Sequence, residues 1–135
     1  MQKKLLIISG IFGALAVSLG AMGAHGLKSK LETGLITETN LQTFDTAAKY
    51  QMYHSIALLA LVFLFEKFSK KLITAAAYCF IIGIVLFSGS LYILATSKLL
   101  GLGEVSWFGP VTPIGGLFFI MGWVLVIIAG VKKQP

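Results

Sequence analysis

From Leu5 to Ala24 the chain runs twenty residues without a charged side chain, and three further apolar runs follow at about 50–65, 72–96 and 113–131. Twenty residues of α-helix rise about 30 Å, the thickness of a bilayer's hydrocarbon core. Backbone groups inside that core find no water, so a run that crosses it must bond within itself as a helix. Composition argues against a soluble core, because 57% of the residues are hydrophobic and 12% are charged, whereas soluble domains are roughly a quarter charged. The sequence therefore predicts an all-α integral membrane four-helix bundle, with residues 1–135 forming a single four-span membrane domain.

A secretory signal peptide also pairs a basic start with an apolar run that ends in small residues. Here the small residues recur along the whole first run. Gly13, Ala16, Gly20 and Gly23 follow helical spacing, and Gly10, Ala14 and Ser18 make a second stripe. This pattern suits a retained helix that packs closely against neighbours. Gly83 in the third run has the same reading, as do Gly115, Gly122 and Ala129, which recur every seven residues in the fourth. The lone Cys79 lies inside an apolar run, where it reads as a small buried hydrophobe.

All eleven basic residues are lysines, and the formal net charge is +6. They cluster beside apolar runs, the pattern of topology signals and anionic lipid contacts rather than of a nucleic-acid surface. No nucleic-acid partner is expected, and membrane lipid is. Lys3, Lys4, Lys67, Lys70, Lys71, Lys132 and Lys133 flank the two ends and the short turn, whereas Lys28, Lys30, Lys49 and Lys98 share the other loops with four acids, Glu104 among them. The positive-inside rule then puts both termini in the cytoplasm, in the plasma (inner) membrane of a bacterium. Between the first two spans, Thr39 is a candidate cap for an interfacial amphipathic helix that carries Leu41, Phe44, Ala47 and Ala48 and runs directly into the second span. Thr112-Pro113 reads as the N-cap and first residue of the fourth span.

Polar side chains inside the spans are few and one-sided. His25 ends the first run, Tyr50, Gln51 and His54 open the second about one turn inward, Ser88, Ser90 and Tyr92 crowd the end of the third, and Thr112 starts the fourth. With the termini cytoplasmic, all of these fall in the outer half. Unpaired polar groups in hydrocarbon are costly, so they should face the interior, either bonding helix to helix or lining an outward-facing pocket. Two histidines without an intramembrane carboxylate fall short of a zinc site, so no metal and no cofactor are expected. Ser88 or Ser90 with His54 lacks the Gly-x-Ser-x-Gly context and orienting acid of a hydrolase. Trp123 lies well inside the fourth span, and its indole N–H needs a partner or an interface.

Four segments in order, Gly20-Ala21-Met22-Gly23-Ala24-His25-Gly26-Leu27, Tyr50-Gln51-Met52-Tyr53-His54, Phe87-Ser88-Gly89-Ser90-Leu91-Tyr92 and Thr112-Pro113-Ile114-Gly115-Gly116 with Gly122-Trp123, resemble the domain of unknown function 423 family. These are small bacterial inner-membrane proteins related to the eukaryotic transmembrane protein 256. Met22 stands where the family more often has phenylalanine. The resemblance implies a four-helix integral membrane protein and no particular reaction, and it adds weight to His25 and His54. The expected function is binding of a small molecule or lipid headgroup in the outer pocket, as part of a small oligomeric transporter. The alternatives are a structural partner in a homo-oligomer or larger membrane complex and, less favoured, a histidine- or metal-dependent enzyme.

Overall fold

A computed structural model describes residues 1–103 and 105–132. Glu104 and Lys133, which entered the lysine and loop reading above, lie outside the described residues. All regular structure among those residues is helical. Helix α1 spans Gln2–Ala21 and continues as a π-helical turn, Met22–Leu27, and a short 3-10 turn, Lys28–Lys30. Helix α2 spans Glu38–Leu64. Helix α3, Lys70–Gly83, passes through a π-helical segment, Ile84–Ser88, into α4, Gly89–Thr96. After a loop containing the 3-10 turn Ser106–Phe108, α5 spans Val111–Val131. Four helical rods, at Gln2–Lys30, Glu38–Leu64, Lys70–Thr96 and Ser106–Val131, are long and apolar enough to cross a bilayer.

The amphipathic segment runs directly into the second span, as expected, but it packs on other helices rather than resting on the membrane interface. It is the first half of α2, whose continuity follows from having no glycine or proline between Glu38 and Leu64. Its apolar face is taken by other helices, since Phe44, Ala47 and Ala48 are all buried. The cap is Thr37 rather than Thr39. Its Oγ1 accepts from the Asn40 N–H, and Asn40 Oδ1 accepts from the Thr37 N–H, a reciprocal capping box. The connection turns at Gly34, whose φ of 70° is a conformation glycine adopts without strain. At the fourth span, α5 starts at Val111 after Pro110, so Thr112 sits inside the first turn and its hydroxyl is used elsewhere.

α1 leans chiefly on α2, and α5 chiefly on the α3–α4 rod, which itself packs on α2. Two cores result. One, around Leu58, Leu61, Ile73, Phe80 and Phe119, fills the half nearer the termini. The other joins Leu27, Ile36, Phe44 and Ala95 with Tyr92 at the opposite end. The α3–α5 contact interlocks. The Phe119 ring lies over Gly83 and the Phe80 ring over Gly122, so close that a Cβ on either glycine would fall inside 3.0 Å of the ring. At Gly115 the neighbour is the backbone of Phe87 itself.

Candidate functional site

His54 sits ten residues before the end of α2, about 15 Å at 1.5 Å per residue. Because α2 begins twelve residues before Tyr50, His54 stands near the middle of the rod rather than one turn inside its mouth. It is buried, and its ring stacks on Phe119 with centroids 3.5 Å apart and planes 7° apart. Phe80 closes another side at 5.4 Å. Nδ1 lies 2.8 Å from the Tyr50 carbonyl oxygen, and the Trp123 indole N–H donates to Nε2 over 3.4 Å. One tautomer satisfies both partners. With its proton on Nδ1, the neutral imidazole donates to the carbonyl and accepts from the indole. Trp123 therefore has an interior partner although half of it faces outward.

A second layer lies one turn toward the loop end. Gln51 Nε2 donates to the Phe12 carbonyl of α1 over 2.9 Å, and Gln51 Oε1 accepts from the Tyr92 hydroxyl over 3.0 Å, so one buried amide ties three rods together. Ser90 and Thr112 join their hydroxyls at 2.7 Å across α4 and α5. Ser88, on the π-helical segment, is fully buried and its Oγ has no partner. Neither serine bonds His54, so the geometry offers no serine–histidine dyad. Tyr50 is half exposed, its ring 4.8 Å from that of Phe87. His25 stands apart. It is exposed on the π-helical turn, beside Gly23, which packs on Phe44 ten residues before His54 on α2.

Of the residues expected to form one pocket, then, Gln51 and Tyr92 meet directly, Ser90 and Thr112 meet directly, and His54 turns to aromatic rings. Apart from Ser88 Oγ, which has no partner, the buried side-chain polar atoms among them bond to one another, to backbone carbonyls or to the Trp123 indole rather than facing a common space. Phe80, Phe119 and Trp123 complete the layer around His54. Only Trp123 carried a sequence signal, since an indole at mid-span needs an acceptor.

The open space lies elsewhere. A groove of about 330 Å³ runs between the end of α1 and the start of α2, floored by Gly20, Gly23, Leu41 and Phe44 and edged by Lys28, Gln42 and Asp45. Asp45 pairs with Lys49 at 2.6 Å. Lys28 is exposed and makes no ion pair among the described residues. The groove thus offers one unpaired cation, a carboxylate and an amide above an apolar floor. Gly20, Gly23 and Ala24 of the Gly-Ala-Met-Gly-Ala-His-Gly stretch line its α1 side, while His25 does not.

Residues 19–116 match the family described as Protein of unknown function (DUF423). The chain is 41% identical over 132 residues to the UPF0382 membrane protein YwdK of Bacillus subtilis (strain 168), covering 97% of this chain and 98% of that one. It is 42% identical over 130 residues to the UPF0382 membrane protein SAB0533 of Staphylococcus aureus, covering 96% and 97%. A UPF0382 membrane protein of Haemophilus influenzae is 37% identical over 134 residues, covering 99% and 98%. No solved structure matches it. The chain belongs to this family of membrane proteins.

Proposed function

We propose that this member of the DUF423 family binds a phosphate-bearing headgroup, of a lipid or of a small molecule with the same charge pattern, in the groove between α1 and α2. The interior cluster is not the receptor in this reading, since its buried side-chain polar atoms other than Ser88 Oγ already have partners. The observation that carries the proposal is the placing of Lys28, Gln42 and Asp45 around one groove at the polar end of an apolar helix pair. An ammonium without a carboxylate partner suits a phosphate oxygen, and the carboxylate and amide suit hydroxyl or amine groups of the same headgroup. By the lysine count this end of the bundle is the outer face of the plasma membrane.

Two arms separate lipid from free ligand. Purified full-length protein is titrated with glycerol 3-phosphate and with dihexanoyl phosphatidylglycerol, each against wild type and Lys28→Gln. Loss of a charge-assisted bond should weaken the lipid probe about tenfold. Identical affinities in the two proteins would remove the proposal. Tighter binding of the acylated probe assigns the site to lipid, and equal binding of both probes assigns it to a soluble phosphate ester. Orientation is read separately. In a Cys79→Ala background, Lys98→Cys should react with a membrane-impermeant maleimide on intact cells and Lys67→Cys should not.

A further inference from the structure

A second groove of about 350 Å³ opens on the α1–α2 pair nearer the termini, with Leu6, Gly10 and Gly13 on its α1 side and Met52, Ile56 and Leu59 on its α2 side. Leu6, Gly13 and Gly20 recur every seven residues on α1, and Asp45, Met52 and Leu59 do so on α2. Seven residues are close to two helical turns, so this groove and the one at Lys28 share a face. The face is uneven. At Gly10 a Cβ would meet nothing within 4 Å, and at Gly13 only Ser55, at 4.0 Å, so α1 is low there. On α2 the side chains stand out, Ile56 58% and Leu59 38% exposed. Gly20 neighbours Ala48 and Gly13 neighbours Ser55. The two helices therefore run in opposite directions step for step, and Gly10 stands within a residue of the level of Leu59.

Copies of one membrane protein insert in one orientation, so a closed pair is related by a two-fold axis along the bilayer normal. With that axis in front of this face, α1 of each copy stands opposite α2 of the other, and every residue keeps its depth. Two kinds of complementarity follow. Near the termini, the low stretch at Gly10 and Gly13 receives Ile56 and Leu59 of the partner subunit, and small residues that admit bulky neighbours are how helices gain packing contacts in lipid. At the loop end, Lys28 stands opposite the partner's Asp45, and the symmetry makes this pairing twice. Lys28 has no ion pair among the described residues, and Asp45 already holds Lys49. We infer that the α1–α2 face is the docking surface for a second copy of this chain, joined by Lys28 to Asp45 across the axis and by the Gly10–Gly13 hollow beneath.

A second copy meets both ends of the face at once. Gly10 lies eighteen residues before Lys28, about 27 Å along the rod, so a lipid held at Lys28 from one leaflet does not reach it. The inference goes beyond the headgroup reading, which needs only the upper groove of one chain, and the two are compatible. An ammonium has three donors and a carboxylate about four acceptor directions, so the cross-pair leaves Asp45 its bond to Lys49 and leaves Lys28 donors for a phosphate. Bulk added at Gly10 enters the open groove without prying α1 from α2 of its own chain.

The test is disulfide cross-linking in native membranes, with two differently tagged full-length chains co-expressed in a Cys79→Ala background. Gly10→Cys on one and Leu59→Cys on the other should cross-link between chains, whereas Ile120→Cys, on the lipid-facing side of α5, should not cross-link to Leu59→Cys. No bond between Gly10→Cys and Leu59→Cys, or an equal yield from Ile120→Cys, overturns the proposal. Dimer strength is read by energy transfer between chains labelled at Lys67→Cys in phosphatidylglycerol vesicles of increasing dilution. Gly10→Phe should weaken the dimer about tenfold, and Ile120→Phe should leave it unchanged. Equal behaviour of these two variants places the contact on another face and overturns the proposal. Lys28→Glu should also weaken the dimer about tenfold, through two exposed pairs lost, and Lys28→Glu with Asp45→Lys in one chain should restore it. Failure of the swap to restore it overturns the pairing across the axis. Titration of Gly10→Phe with glycerol 3-phosphate keeps the two readings apart, since a monomer that still binds the probe leaves the headgroup reading standing whether or not the dimer does.

Discussion

Glycines line both the α3–α5 interface and the α1–α2 seam, yet they serve opposite ends. At the first they let rings and backbone press together. Phe119 covers Gly83, Phe80 covers Gly122, and the Phe87 backbone touches Gly115. At the second, Gly10, Gly13 and Gly20 stop short of contact and leave a groove. Gly23 is intermediate, its Cβ position 2.9 Å from the Phe44 ring. Small residues at helical spacing thus mark a place where side chains are missing, and the partner decides whether that becomes close packing or open space.

Gly115→Ala should separate the two most sharply. The intruding methyl meets backbone, so α5 must move away from the π-helical segment, and overpacking of this kind costs about 3 kcal/mol. Unfolding in mixed micelles measures it, and a loss no larger than that of Gly13→Ala would erase the contrast.

Gly83→Ala and Gly122→Ala come next. Here the obstacle is an aromatic ring, which can shift, so each should cost about 2 kcal/mol. Both also displace rings that enclose His54, because Phe80 and Phe119 are the shared parts. Trp123 fluorescence should therefore change with these variants and stay constant for Gly13→Ala. A spectrum that does not respond would mean that the indole and imidazole layer is not anchored by the interlock.

The polar layer between the interfaces gives a smaller effect. Tyr92→Phe removes one hydrogen bond to Gln51 and should cost about 0.6 kcal/mol, the average for such bonds within membranes. Gln51→Leu also frees the Tyr92 hydroxyl and should approach the upper range, about 1.7 kcal/mol. If the two cost the same, the bond from Gln51 to the Phe12 carbonyl adds nothing to the α1–α2 seam.

The spans were legible because an uncharged run of twenty residues has few other outcomes. The start of α2 was not. Glu38, Asp45 and Lys49 read as a surface segment, whereas the opposite face of the same turns, with Phe44, Ala47 and Ala48, is buried against other helices. That error in length moved His54 toward the mouth and suggested one polar pocket. Composition places polar residues at a level, but only rotation about each helix axis decides whether they meet. Gln51 and Tyr92 do, and His25 does not. The Phe12 carbonyl carries no side-chain signal at all, and the α1–α2 groove depends on distances between helices that spacing alone leaves open.

Gly13→Ala and Gly20→Ala carry the smallest expected effect and the most direct test of an open seam. A methyl at either position reaches ordinary contact, 4.0 Å from Ser55 Cβ or 3.9 Å from Ala48 Cβ, with nothing forced aside. Alanine also restrains the unfolded backbone and is favoured over glycine in a helix by about 0.8–1.0 kcal/mol in aqueous hosts. Each variant should therefore be neutral or slightly more stable than wild type, by less than about 1 kcal/mol. A loss of 2 kcal/mol or more would mean that α1 and α2 approach more closely than the groove permits, and the two interfaces would then be the same kind of contact.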